Sequence, residues 1–310
     1  MPLEPVREKW VGAINKVTIG ATSKEGGTRD FSVTVGGETT LPFLFEEGEM
    51  PHPPVVAMEV LDRADETWPE VLKEPFKDVL NDPAKWAAKC VTIYGAKVIA
   101  LKLISTHPEF GNRSAEEAAR IVKAVLAAVK VPLIIIGSGD ATKDNDVLAR
   151  VSEVAKGERC LLGLATQNNY KTLVASCLAD GHNLITSSPI DINIAKQVNI
   201  LVSEMGLGPE RLVIDPTIGS LGYGMEYGYS IMERGRLAAL NGDRMLSFPV
   251  FCMIGQEVWR VKEAREKERG PLWETTTAVA LLQAGADILV LRHPKAKAAV
   301  EETIKNLMEK

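Results

Sequence analysis

Lys102 is a charge inside VIALKLIS (98–105), a run whose other residues read as a buried strand. An amine held there could form a Schiff base with a carbonyl substrate, as in lysine-dependent aldolases. A structural ion pair is the plainer alternative, because Glu59 in VVAMEVLD (55–62) and Arg292 in ADILVLRHP (286–294) are charges of the same kind of placement. An unpaired charge inside a fold is costly enough to make pairing nearly obligatory. The histidines add no catalytic set: His52 lies in a proline-rich stretch, His182 precedes a strand, and His107 and His293 are each followed by proline. A hydrolase would want a His–carboxylate or metal constellation. Cys90, Cys160, Cys177 and Cys252 contain no CxxC, so neither a zinc ribbon nor an iron–sulfur cluster has its ligand spacing. They read as buried, reduced thiols.

Small neutral hydrogen-bonding groups cluster instead where strand-like runs end. Ser138 and Gly139 close PLIIIGS (132–138), Thr166 and Asn168 follow CLLGLAT (160–166), and Ser187 ends NLITSSP (183–189). Asp215 and Thr217 share one face of LVIDPTIG (212–219). Beyond it, IDPTIGSLGYGMEYGYSIMERGRLAAL interleaves Tyr223, Tyr227 and Tyr229 with Gly219, Gly222, Gly224 and Gly228. Glycines allow close backbone approach to a ligand, and tyrosines give flat amphipathic area. The same pattern also suits a loop that enters a helix with its tyrosines packed on a rim. Such a lining holds a polar ligand better than it drives hydrolysis.

Eight strand-like runs, from Val55 to the C-terminus, alternate with helical patterns; the remaining one is FPVFCMIG (248–255). SAEEAARIVKAVLAAV (114–129) opens with the capping box Ser114/Glu117, and KAKAAVEETIKNLMEK is the eighth helix. Strands alternating with helices imply parallel strands and right-handed crossovers, and about 250 residues is the size of a closed (β/α)8 TIM barrel. No GxGxxG follows the first run, which argues against a doubly wound sheet. Alternation aims Ala57, Glu59 and Leu61, and then Ala100, Lys102 and Ile104, at the barrel axis.

Residues 1–54 form a separate N-terminal unit and 55–310 the barrel. In the former, Val17 and Ile19, then Phe31, Val33 and Val35, flank Glu25-Gly26-Gly27 as a β-hairpin. LPFLFEEGEMPHPP follows as a stiff, extended linker. A lone two-stranded hairpin is marginal in water, so it should lean on the barrel or on another chain, with the Gly-Gly turn suggesting a partner. The net charge of −5 offers no field for nucleic acid or an anionic membrane. No run reaches the roughly 18 apolar residues of a membrane span, and the start lacks a signal peptide's apolar core. A cytoplasmic protein is expected.

STHPEFGNRSAEEA, DPTIGSLGYGMEYGYSIMERGRLAAL and SKEGGTRDFSVTVGGETTLPF closely resemble the small subunit of the corrinoid/iron–sulfur protein, whose archaeal counterpart is the delta subunit of the acetyl-CoA decarbonylase/synthase complex. The resemblance runs over essentially the whole chain. It implies a barrel paired with a larger subunit that carries a [4Fe–4S] cluster and most contacts to a shared corrinoid (cobalamin-type) cofactor. That heterodimer takes a methyl group from methyltetrahydrofolate through a separate methyltransferase and delivers it to acetyl-CoA synthase. The corrinoid-ligating pattern DxHxxG is not met: Asp180-Gly181-His182 begins it, but Ile185 stands where glycine is needed. The resemblance therefore implies a cap over the corrinoid rather than a tight corrinoid site, with no catalytic residue and no metal ligand of its own. Ser138, Gly139, Thr166, Asn168, Ser187, Asp215, Thr217, Gly219 and Tyr223 are the expected contacts. A pterin-binding methyltetrahydrofolate:corrinoid methyltransferase is the alternative, with Asp215 and Asn168 toward the pterin, and a catalytically silent scaffold is a further one.

Overall fold

The computed structural model describes residues 6–309. Its first ordered pair is the antiparallel hairpin β1 (Val17–Ile19) and β2 (Val33–Val35), with Val17 opposite Val35. Phe31 lies outside the strand and is partly exposed. Eight further strands close in the order β10-β3-β4-β5-β6-β7-β8-β9, each pair parallel. They are β3 (Val55–Leu61), β4 (Ile99–Lys102), β5 (Leu133–Ile136), β6 (Leu161–Ala165), β7 (Asn183–Ser187), β8 (Leu212–Asp215), β9 (Val250–Cys252) and β10 (Ala286–Leu291). The expected TIM barrel is thus the observed one.

Helices follow every barrel strand. A short α1 (Glu70–Lys73) and α2 (Pro83–Thr92) follow β3, then come α3 (Ala115–Ala128), α4 (Ala141–Val154), α5 (Tyr170–Asp180), α6 (Ile192–Glu204) and α7 (Met225–Leu240). A short α8 (Ile254–Val258) and α9 (Arg269–Gln283) follow β9, and α10 (Pro294–Met308) follows β10. The Ser114/Glu117 capping box opens α3 as the sequence requires: Ser114 Oγ accepts from Glu117 N, and Glu117 accepts from Ser114 N.

Strand alternation separates two apolar clusters. Val56, Met58, Val60, Ile99, Leu101 and Leu103 pack under the helices, while Ala57, Ala100, Ile134, Ile185, Val213 and Phe251 fill the axis. Leu61 and Ile104 depart from the expected inward parity and pack with the outer cluster. The cause at Ile104 is local: β4 stops at Lys102, and a tight turn over Ile104–Thr106 rotates the next residues away from the axis.

The hairpin docks on its own barrel. Val17, Ile19 and Val35 belong to the axial cluster and close its amino end, against Val98 and Leu161. Asn183 Nδ2 donates to Thr18 O at 2.8 Å, and Gly20 N donates to Arg159 O at 2.9 Å. The marginal stability of a free hairpin is met here by packing on the barrel floor. The proline-rich segment is also not a straight spacer: Thr39 N donates to Glu49 O at 3.0 Å, so residues 39–49 fold into a closed loop.

Candidate functional site

The carboxyl ends of the barrel strands surround a pocket of about 320 Å³. Lys102 ends β4 and Asp215 ends β8, four strands away in a ring of eight, so they face each other across it. The wall between them comes from the loops after β5, β6 and β7 and from the helical turn after β9. The other side of the mouth is filled. Arg292, just past β10, pairs with Glu59, and its guanidinium lies 4.9 Å from the centre of the Trp68 ring. Glu274 accepts from Arg292 N and His293 N, and burial pushes it up to about 7.

The expected meeting of Glu59 and Lys102 does not form an ion pair. Arg292 takes Glu59, and Lys102 Nζ donates instead to Gln256 Oε1. Burial pushes the Lys102 ammonium down, with the Glu59 charge opposing and that of Arg292 reinforcing. Gln256 in turn donates to Glu257, which also accepts from Arg260 at 3.0 Å, so a polar chain runs from the interior to the rim.

Asp215 is 5% exposed and accepts from Ser187 Oγ at 2.9 Å and from Thr217 N at 3.0 Å. Burial raises its carboxyl to about 6; those two bonds and Lys102 oppose the rise, and Glu257 adds to it. Thr217 holds φ +57 to bring its amide onto that carboxylate. A β-branched residue in the left-handed region is strained, and such strain concentrates at functional sites.

Asp144, from α4, ties down the β5 loop by accepting from Ser138 N (2.8 Å), Ser138 Oγ (2.9 Å) and Gly139 N (2.9 Å). Gly137 is required beneath it, since a Cβ there would lie 2.4 Å from the Asp144 carboxyl carbon. Asn169, the residue just before α5, does the same for the β6 loop: it accepts from Thr166 N at 2.7 Å and donates to Leu164 O.

Of the nine residues expected at a ligand, the pocket gathers Ser138, Gly139, Thr166, Ser187, Asp215 and Thr217. Asn168 is exposed, and its neighbour Asn169 takes the place in the wall. Gly219 and Tyr223 lie outside the lining; Tyr223 is half-exposed on the rim and donates to Glu263 at 2.9 Å. Of the three tyrosines, Tyr229 packs on the outer core while Tyr223 and Tyr227 stay exposed. Asp144, Asn169, Gln256, Glu257 and Arg260 were not expected in the site. Asp144 follows Ser138 by six residues on a helix opened by Asp140, a spacing that could have marked it as a loop clamp.

The four cysteines are buried, and burial pushes the thiols of Cys90, Cys160 and Cys177 up to about 12. Among the described residues no group of three or more His, Cys, Asp or Glu is placed to hold a metal ion. His182 accepts from Cys160 N and bonds Ser152 O, His293 caps α10, and His107 accepts from Glu109 N. No helix of the described residues is long and apolar enough to cross a membrane.

Fold and mouth together define a TIM-barrel protein with a pocket at the carboxyl end of its strands, lined in part by charged and hydroxyl-bearing side chains. Residues 16–304 match the CO dehydrogenase/acetyl-CoA synthase delta subunit family, and the chain belongs to it. The acetyl-CoA decarbonylase/synthase complex subunit delta of Methanopyrus kandleri is 39% identical over 96% of this chain and 76% of its own length. That of Archaeoglobus fulgidus is 37% identical over 98% of this chain and 70% of its own. Among solved structures, a dihydropteroate synthase from Xanthomonas albilineans superposes with a TM-score of 0.60 over 84% of this chain and 95% of its own, at 14% identity, a likeness of fold alone.

Proposed function

We propose that this chain is the small subunit of a heterodimeric corrinoid iron–sulfur methyl carrier and that its mouth caps the corrinoid's upper face. The observation that carries the reading is the family match over 16–304, in a chain whose pocket is built for polar contact without cobalt ligation. The lining offers hydroxyls, the Lys102 amine, the Arg260 guanidinium, the carboxyls of Asp144, Asp215 and Glu257 and the amides of Asn169 and Gln256, and neither histidine nor cysteine. That set suits the carboxamide arms that rim a corrin. The corrinoid, when bound, supplies the cobalt that accepts and gives up a methyl group.

The residues of this chain hold, orient and exclude water. Ser138, Thr166 and Ser187 direct their hydroxyl protons to Asp144, Asn169 and Asp215; Ser138 and Thr166 also accept from Asp140 N and Asn168 N, which leaves one lone pair on each of these two and both on Ser187 to accept from amide nitrogens. Gly139, Asn168, Gly219 and Tyr223 extend the contact over the rim. A larger subunit holds the [4Fe–4S] cluster and most of the corrinoid, and the cap moves aside when the methyltetrahydrofolate methyltransferase or acetyl-CoA synthase docks. Cytoplasmic residence goes with these partners.

Anaerobic purification of the complex tests the reading. A stoichiometric larger subunit with cobalt in the complex, and none on this chain once separated, is expected. A chain that alone methylates cob(I)alamin from methyltetrahydrofolate would overturn it in favour of a methyltransferase.

A further inference from the structure

Lys102 and Asp215 are opposite charges, drawn out of water on opposite strands of the barrel, that face one pocket without forming an ion pair. Each is partnered only in part. Lys102 Nζ has three donors and gives one to Gln256 Oε1. Each Asp215 oxygen accepts one hydrogen bond, Oδ1 from Thr217 N and Oδ2 from Ser187 Oγ, and keeps a second lone pair. The space between them is far larger than the roughly 30 Å³ share of one water, so an organic group fits.

We infer that Lys102 and Asp215 are the two poles of a subsite for a neutral primary carboxamide, its oxygen accepting from Lys102 Nζ and its nitrogen donating to the Asp215 carboxylate. The inference deepens the proposed function, on which it rests for the source of the amide: one side arm of the corrinoid enters the barrel while the macrocycle stays outside. Selectivity follows from the geometry. A carboxylate in the same place gains Lys102 but sets its second oxygen against Asp215, with Glu257 close enough to add to the repulsion. An alkylammonium gains Asp215 and the nearby Glu257 but meets Lys102 and Arg260. A neutral group with a donor and an acceptor on one carbon answers both poles without setting like charges against each other. Ser187 reinforces the choice, because its proton is directed to Asp215 and its oxygen is left to accept. Lys102 thereby becomes a specificity residue, although it carries no reaction step.

The test titrates the full chain with propionamide, propionate and n-propylamine at equal ionic strength, following the amide resonances of Lys102, Ser187, Asp215 and Thr217. Propionamide is expected to shift these four saturably, with the two charged analogues at least about tenfold weaker. Lys102→Met and Asp215→Asn should each weaken propionamide by about tenfold, and Lys102→Gln guards against a Met variant that folds poorly. Propionate binding as well as propionamide, or shifts confined to other residues, overturns the subsite. A parallel measurement of cobalt retention in the intact complex separates the two ideas. Amide selectivity with no loss of cobalt in either variant leaves the subsite standing and removes the corrinoid arm as its source. Cobalt loss in both variants without amide selectivity keeps the cap and sinks the subsite.

Discussion

At the amino end of the barrel, two arginines direct their donors into the fold; at the carboxyl end, a lysine and an aspartate leave theirs facing a pocket. Arg29, 3% exposed, reaches Glu158 and Thr28 and the carbonyls of Leu126, Val129 and Val131, which ties the hairpin to the end of α3. Arg236, 4% exposed, joins Glu38 from the N-terminal segment to Asp287 at the start of β10 and to Gly285 O. Lys102 and Asp215 have one and two polar partners respectively, and neither is in an ion pair. Charges paired with one another are what a structural closure needs, while unspent donors and acceptors in a concave site are what a ligand needs. The difference predicts opposite responses to mutation at the two ends.

The largest expected effect is at the closed end. Arg236→Ala leaves Glu38 and Asp287 buried against each other without their shared cation. Breaking such a buried network costs about 3–5 kcal/mol, read as a lowered urea midpoint. A loss under about 1 kcal/mol would mean that the triad is not what holds the N-terminal segment down.

Two glycines with the same left-handed backbone sharpen the comparison. Gly36, at φ +84, lies against Asn15 O, which a Cβ would approach to 2.1 Å, and against Pro249. Gly139, at φ +99 beside the pocket, has nothing within 4 Å of that position. Gly36→Ala combines backbone strain with overpacking and should cost about 2–4 kcal/mol. Gly139→Ala carries the strain alone and should cost about 1–2 kcal/mol. Equal losses in urea unfolding would erase the packing difference between the two ends.

How far this contrast could be read from the sequence differs by level. Eight β-branched runs and the capping box at Ser114 define the barrel, because periodicity and local capping are properties of contiguous residues. Inward parity places Glu59, Lys102 and Arg292 correctly on the axial side but not their pairing, since three charges allow more than one match and the choice depends on Gln256 from α8. Leu61, the last residue of β3, and Ile104, beyond the early end of β4, both fail the parity rule. In the mouth, strand-end residues are legible and their clamps are less so: Asp144 and Asn169 act from helix starts on loops before them, and Asn169 differs from Asn168 by one step of a turn. The hairpin's docking face was beyond reach, because Val17, Ile19 and Val35 would suit any apolar surface.

Proton linkage probes the open end at smaller cost. The Asp215 carboxyl stands at about 6 in the fold, above about 3.9 for an unfolded chain. The folded state therefore binds the extra proton between these values, and the contribution of Asp215 to stability falls as pH rises from about 4 to 6. Above that window both states are ionised and the slope from this group ends. His293, lowered to about 4 chiefly by burial, acts in the opposite sense, losing its proton in the fold before it does so unfolded. Comparing wild type with Asp215→Asn cancels that and every other background group. The wild type should gain about 2 kcal/mol on the variant between pH 7 and pH 4, measured by urea unfolding at each pH. A difference independent of pH would place Asp215 outside the linkage.

The smallest effect has the opposite sign from all substitutions at the closed end. Thr217 is held at φ +57, and its own side chain is not what the loop requires, since the bond to Asp215 uses its backbone N–H. Thr217→Gly removes the steric penalty of a β-branched residue there, worth about 1–3 kcal/mol. It also loosens the unfolded chain by about 0.4–1 kcal/mol. The net should be a gain of between about zero and about 2.5 kcal/mol in urea unfolding, together with weaker cobalt retention in the complex, because the hydroxyl on the pocket wall is lost. Destabilisation by Thr217→Gly would show that the threonine packs as a structural residue, and the mouth would then differ from the floor in shape but not in purpose.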